Sequence, residues 1–244
     1  MTETFENFRQ IFIDVFMRNG LGRFTDEDTV RKFYDFAVFL TDANEKTNLT
    51  AISGAKDTVL KHFADSLVAA DMFPEGATVV DVGCGAGFPS IPLAIVRPDL
   101  KITPLDSTGK KIDFVCAAAR ALGLDNLSPM CARAEDFVKE RRESFDVATA
   151  RAVSRLNVLS ELALPLVRIG GTFIAMKSKD GEAELDEARR GIATLGGSIA
   201  RVEKVTLAPL SGESLERVSI LIEKKEQTPK KYPRAYAKIT KSPL

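Results

Sequence analysis

Along the first seventy residues, apolar side chains recur at intervals of three and four. Phe5, Phe8, Ile11, Phe12, Val15 and Phe16 form one stripe, and Val30, Phe33, Ala37 and Leu40 form a second, the repeat of helices with one buried face. An N-terminal helical cap over residues 1–70 is expected, with its phenylalanines in a core and not on a nucleic-acid platform. From Ala77 the texture changes. Short apolar runs, ATVVDV, KITPLD, NLSPMC, FDVATA and GTFIAMK, alternate with segments of helical spacing at Ser90 to Val96, Lys110 to Leu122, Glu135 to Arg141 and Leu156 to Val167. That alternation predicts a wound α/β fold with a mostly parallel sheet. Gly181 precedes a further helix, Glu182 to Ala193, and two last strands, Ser198 to Leu207 and Glu216 to Glu223, read as a terminal antiparallel hairpin that brings the count to seven. Pro104 has no amide to donate, so a bulge or an early end is expected in the second strand.

Composition narrows the class. The chain has 244 residues, 45% apolar and 28% charged, enough for one core of ordinary size with an appendage. The expected division is a cap at 1–70, an α/β domain at 71–225 and a basic tail at 226–244. Thirty-four basic residues balance thirty-four acidic ones, so no global field advertises a partner. The balance is uneven along the chain: from Lys224 onward seven basic residues face Glu226 alone, a formal +6 that leaves −6 on residues 1–223. Cys84, Cys116 and Cys131 form no C-x-x-C pair and suit a reducing compartment, so a cytoplasmic location is expected. No apolar run reaches the length of a membrane span. His62 is the single histidine and tryptophan is absent, which excludes multi-histidine zinc sites and weakens hydrolase readings. No metal site is expected.

The chemistry concentrates in VVDVGCGAGFP. Asp81 ends the first strand, Gly83, Gly85 and Gly87 follow, and a helix begins near Pro89. Glycines at such a turn allow a ligand to approach the backbone. A dinucleotide fingerprint requires G-x-G-x-x-G, whereas this loop reads G-x-G-x-G with Phe88 at the third glycine's place. With an acid ahead of the first glycine it resembles motif I of class I S-adenosylmethionine-dependent methyltransferases; the alternative is a plain strand-to-helix turn. Asp106 closes the second strand nineteen positions after Gly87, where an acid can accept both ribose hydroxyl hydrogens. ARAED, residues 132–136, follows the third strand; it reads either as an adenine-side loop or as a helix start rich in acids.

Taken together, NLTAI at Asn48, HFADSL at His62, DVGCGAGFPSIPLAI at Asp81, LDSTGKKIDFV at Leu105, RAED at Arg133, FDVATARAV ending at Val153, LPLVRIGGTFIAMK ending at Lys177, and PKKYPR with the final SPL resemble the small-subunit ribosomal RNA methyltransferase G family, also called glucose-inhibited division protein B. The resemblance implies the class I methyltransferase fold, S-adenosylmethionine as cofactor, and methylation of N7 of a guanosine in 16S ribosomal RNA, on free RNA or a small-subunit particle. It places cofactor contacts at Gly83, Gly85, Phe88, Asp106, Ala134, Glu135 and Arg151. Three positions depart from the family's habit: Cys84, Ser90, expected to crowd the helix start slightly, and Pro104.

Guanine N7 carries an in-plane lone pair and no proton, so no catalytic base is expected, and none is assigned. His62 with Asp65 and Ser66 reads as a structural polar cluster at the cap junction. Asp81 is a candidate for the cofactor's ammonium, and Arg151 for its carboxylate. RNA phosphates would be met by Lys110, Lys111, Arg133, Lys177, Lys231 and Arg234. Charge alone does not separate an RNA-facing tail from a solvated one; the YPR resemblance favours RNA. The target base must be unpaired or extruded, against an aromatic such as Phe88 or Tyr232. A monomer is expected. The rivals are a nicotinamide-dependent oxidoreductase, a non-catalytic RNA-binding protein and a small-molecule methyltransferase.

Overall fold

The computed structural model describes residues 3–47 and 49–244; Asn48, the first residue of NLTAI, lies outside them. Two long helices open the chain, α1 (Phe5–Arg18) and α2 (Glu27–Thr47). They are followed by a continuous helical segment made of α3 (Ala55–Asp57), a π-helical stretch (Thr58–Ala64) and α4 (Asp65–Leu67). Thr4 caps α1 by accepting the Asn7 amide at 3.4 Å, and the predicted stripes face inward. Their rings join into one chain: Phe12 stacks on Phe16 at 3.8 Å and meets Phe33 at 5.1 Å, Phe33 meets Phe63 at 4.9 Å, and Phe36 meets Phe88 at 5.4 Å. Cap and glycine loop therefore share a single apolar cluster, held by offset aromatic packing.

The sheet comprises β1 (Thr78–Val82), β2 (Lys101–Asp106), β3 (Met130–Cys131), β4 (Phe145–Arg151), β5 (Val167–Ser178), β6 (Gly197–Leu207) and β7 (Leu215–Lys224), in the order 3-2-1-4-5-7-6. β1 to β5 are parallel, and β7 runs antiparallel to both β5 and β6, as the hairpin reading anticipated. Between the strands lie α5 (Ser90–Val96), α6 (Gly109–Ala121), α7 (Ala134–Arg141), α8 (Leu156–Ala163) and α9 (Ala183–Thr194), with α10 (Tyr236–Lys241) last. Period-two alternation sorts the strand residues between faces. Val79, Val147 and Ile174 join the cap, α5 and α6, while Val80, Ala148 and Phe173 join α7 to α10. Both faces of the central strands are covered, which explains their continuous apolar runs.

Three expectations are corrected. β2 runs through Pro104 without bulge, in register with Asp81. Ile102 and Asp106 bond toward β3, so Pro104, two residues from each, turns its missing donor to that side, where the β3 ladder starts only at Leu105 and Met130. β3 is accordingly shorter than NLSPMC; Pro129 interrupts it, leaving one bridge at Leu127 and a two-residue edge. α8 ends at Ala163, because Pro165 cannot donate to the turn before it, and the chain tightens to a 3-10 turn (Leu164–Leu166) before β5.

The C-terminal stretch is packed, not loose. Lys224 is fully buried, donating to the Leu164 and Val167 carbonyls and pairing with Glu143 at 3.0 Å. Tyr232, Thr228 and Ile239 are buried, and Arg142 donates to the Tyr232 carbonyl at 2.6 Å. Arg234 grips Glu161, which has no exposed surface, with Nε at 2.8 Å and Nη2 at 2.5 Å. Two of these cations, Lys224 and Arg234, thus serve the fold, while Lys225, Lys230, Lys231, Lys238 and Lys241 are exposed.

Removing one member of a buried, doubly bonded ion pair leaves its partner uncompensated. Arg234→Ala is expected to lower stability by about 3–5 kcal/mol in urea unfolding, and Arg234→Lys to recover only part of it, since an ammonium cannot reproduce the fork. A loss below about 1 kcal/mol would mark the pair as a surface contact.

Candidate cofactor and base crevice

The sheet order reverses beside β1, between β2 and β4, and ligands of open α/β sheets bind at such a switch point beyond the strand ends. Leaving β1, the chain takes positive φ at Gly83 (+79°), Gly85 (+58°) and Gly87 (+85°), a conformation other residues enter at a cost. Added Cβ atoms at Gly83 and Gly87 would lie 2.7 Å from Val153 and 2.5 Å from Ile91, whereas at Gly85 the space is open. Gly85 is the point where a ligand can reach the main chain.

Asp106 anchors the loop from the neighbouring strand. Its Oδ2 accepts the Gly85 amide at 3.1 Å, its Oδ1 accepts Thr108 at 2.9 Å, and Lys111 Nζ stands 3.6 Å away. Ser90 does not crowd the helix start: it is buried and its hydroxyl donates to Asp81 Oδ2 at 2.6 Å. Asp81 Oδ1 is buried without any hydrogen-bond partner, an expensive condition for a carboxylate. Burial raises this carboxyl to about 7, against the lowering effects of Ser90 and Arg151. An unpartnered buried oxygen beside a glycine loop suits the ammonium of an amino-acid moiety, so these residues fit S-adenosylmethionine.

Two adjoining cavities of about 200 and 330 Å³ form the crevice and share Gly83, Asp106, Lys111 and Val153. All seven positions singled out for the cofactor line it: Gly85, Phe88 and Arg151 on the cap side, Ala134 and Glu135 at the start of α7, Gly83 and Asp106 between. Lys111 and exposed Arg133 also border it, and Lys110 is exposed on the same helix as Lys111. Lys177 is inward, donating to the Ser154 carbonyl at 2.6 Å and to Glu184 at 2.8 Å. Lys231 is exposed near the Tyr232 ring, and Arg234 is held by Glu161. Neither Phe88 nor Tyr232 offers a free ring face, at 5% and 7% exposure. The reading missed Tyr236, an exposed ring of α10 that lines the crevice with Arg133 over it at 5.7 Å. Only tertiary packing brings it there.

His62 lines the cap side of the crevice with both ring nitrogens engaged. Arg151 can only donate, so His62 Nδ1 accepts from it at 3.3 Å, and Nε2–H donates to Thr50 at 2.9 Å. The ring stacks flat on Phe88 at 4.2 Å. Burial, with Arg151 adding to it, lowers its pKa to about 3. Ser66 donates to the His62 carbonyl, not to the ring. Asp65 pairs with Arg151 at 2.9 Å and Arg217 at 2.6 Å. Cys84 is buried, with its thiol pKa pushed up by burial, whereas Cys131 is exposed on the edge strand and packs in no core. Among the described residues no cluster of three or more metal-ligating side chains occurs, and no helix is long and apolar enough to cross a membrane.

Comparison with known proteins agrees with this geometry. A family model described as "rRNA small subunit methyltransferase G" matches residues 29–209. The chain is similar to "Ribosomal RNA small subunit methyltransferase G" of Staphylococcus carnosus (strain TM300), at 52% identity over 88% of this chain and 90% of that one. With the protein of the same name from Clostridium perfringens (strain 13 / Type A), identity is 41% over 93% and 95%. In fold it is similar to M. jannaschii TYW2 in complex with AdoMet, with a TM-score of 0.54 at 16% identity over 72% of this chain and 78% of that one. Precorrin-6y C5,15-methyltransferase from Geobacter metallireducens GS-15 gives 0.53 at 16% over 66% and 87%.

His62 and Asp81 act on stability with opposite signs. The folded state lowers the first pKa from 6.5 to about 3, so stability from His62 is present above pH 6.5 and lost as pH falls. It raises the second from 3.8 to about 7, so stability from Asp81 is present below pH 3.8 and lost as pH rises. Between pH 4.5 and 6.5, His62→Gln is therefore expected to lose stability as pH rises and Asp81→Asn to gain it, relative to the parent, by urea unfolding. Parallel profiles for all three proteins would contradict this.

Proposed function

The chain belongs to the ribosomal RNA small subunit methyltransferase G family, and from that premise we propose that it transfers a methyl group from S-adenosylmethionine to N7 of a guanosine in 16S ribosomal RNA, acting as a cytoplasmic monomer on the RNA or the small-subunit particle. The observation that carries the reading is the buried, unpartnered Asp81 Oδ1 beside a glycine loop whose open position, Gly85, is tied to Asp106.

The bound cofactor supplies an electrophilic methyl on a positively charged sulfur. Asp81, buried behind the glycine loop, would hold its ammonium directly or through water, Asp106 would hold its ribose hydroxyls, and Ala134 and Glu135 would flank the adenine side. Arg151, already shared among Asp65, the Lys61 carbonyl and His62, presents a fixed cation at the wall beside the amino-acid moiety. With the cofactor bound, guanine N7 would take the methyl on its in-plane lone pair, the sulfur would leave as a neutral thioether, and the positive charge would pass to the purine. No proton moves, so no side chain acts as acid or base. Because charge is relocated and not created, alignment outweighs field strength; orientation alone can supply roughly 7–11 kcal/mol of barrier reduction. A loop over-determined by three left-handed glycines, the Asp106 bond and the aromatic chain of the cap serves that alignment. Of the six cations assigned to RNA, Lys110, Lys111, Arg133 and Lys231 are accessible to phosphate, while Lys177 and Arg234 act through the folded frame.

The test is to incubate the protein with labelled cofactor and small-subunit RNA or particles from cells lacking this enzyme, then to digest and map the label. The expected product is 7-methylguanosine, with cofactor affinity lowered about tenfold or more by Asp106→Ala, as expected when charge-assisted hydrogen bonds are removed. Label on another atom or none at all, or unchanged affinity, would sink the corresponding part.

A further inference from the structure

Beyond the crevice lies a further cavity of about 430 Å³, within the usual range for small-ligand sites. The two meet at the turn after β4, where Arg151, Ala152 and Val153 line both. Ala152 has φ +55° there, a left-handed conformation that persists in a non-glycine residue only where the surroundings enforce it.

Four cations, Arg151, Arg155, Lys177 and Arg217, line the cavity with two carboxylates, Asp65 and Glu184, and each cation has an acidic partner. Asp65 gives one carboxylate oxygen to Arg151 and the other to Arg217. Arg155 is engaged by Glu187. Lys177 Nζ and the Leu156 amide both donate to Glu184 Oε2, at 2.8 and 2.5 Å. Glu184 Oε1 accepts no hydrogen bond among the described residues. The side chain is 18% exposed, fixed through one oxygen and available through the other.

A carboxylate oxygen at this place repels a phosphate but suits an N–H donor. An unpaired guanine carries its donors, N1–H and the N2 amino group, on the edge opposite N7. Turning N7 toward the glycine crevice therefore turns the donors away from it, into the cavity. Val153, at the rim of both spaces, and Leu156, whose amide Glu184 holds, are three residues apart, at most about 11 Å of extended chain, a separation that a purine and its hydrogen bond can span. Adenine would set a lone pair at N1 against the carboxylate.

We propose that this cavity receives the extruded target base and that Glu184 is the residue that reads it as guanine, Oε1 accepting from the N1–H and N2 amino edge. The proposal deepens the reading of the preceding subsection and rests on it. Once the modified position is mapped, small-subunit particles are reconstituted with RNA carrying guanosine or inosine there; inosine keeps N7 and N1–H but lacks the N2 amino group. The parent protein is expected to methylate inosine with kcat/KM about tenfold lower than guanosine, the discrimination typical of a good base-edge contact. In Glu184→Gln and Glu184→Ala that ratio is expected to fall to within about twofold, with cofactor affinity by calorimetry unchanged. The ratio is internal to each variant, so a partly unfolded preparation does not distort it. A parent that does not discriminate, or variants that keep the parental ratio, would overturn the role of Glu184. Failure of the parent to methylate any RNA would instead remove the function on which the proposal stands.

Discussion

One guanidinium ties this molecule together. Arg151, at the end of β4, donates to Asp65 Oδ2, to the Lys61 carbonyl and to His62, and its Cζ stands 5.1 Å over the Phe88 ring. Burial pulls its pKa down while Asp65 and Asp81 oppose that, so the charge is kept by the acids around it, and the side left open lines both cavities. Through these contacts the cap, the glycine loop and the central strand become one rigid wall. The π-helical stretch and the start of α4 bring the Lys61 carbonyl, the His62 ring and the Asp65 carboxylate to it; π segments often mark sites of function.

The same economy of partners shapes the two halves of the crevice. On the cofactor side a carboxylate oxygen is buried without a partner, a cost that protonation or a cationic ligand relieves. On the far side Asp65 is shared by two arginines and Glu184 holds Lys177 through Oε2, which leaves Glu184 Oε1 without a hydrogen bond among the described residues. The crevice thus combines a site that gains on filling with one that selects what fills it, and the left-handed Ala152 sits at their border.

Much of this was legible in the sequence because it depends on short-range geometry. A strand, a tight turn and a helix occupy a fixed length of chain, so Asp106 is located from Gly87 by counting, and short apolar runs mark β1, β4 and β5. What the chain hides is which side of a strand a group faces and which distant group meets it. Pro104 looked disruptive because sequence does not reveal that its missing donor faces a gap in an edge ladder. Ser90 looked like a substitution by size, and its bond to Asp81 depends on burial. The charge of Lys224 and Arg234 was visible, but Glu143 and Glu161, which absorb it, lie more than seventy residues away. Lys177 misled in the same way, since Glu184 reaches it from the start of α9. Tyr236 carried no local signal at all.

Tyr236 borders the crevice beside Arg133, and α10 is fastened to the body by buried Ile239 and by the neighbouring Arg234–Glu161 pair. One wall of the crevice is thus supplied by a segment more than a hundred residues from the glycine loop. Loosening that fastening would widen the opening on the Tyr236 side while leaving the glycine loop and Arg151 in place, so the width of the mouth and the shape of its floor are set by separate parts of the chain.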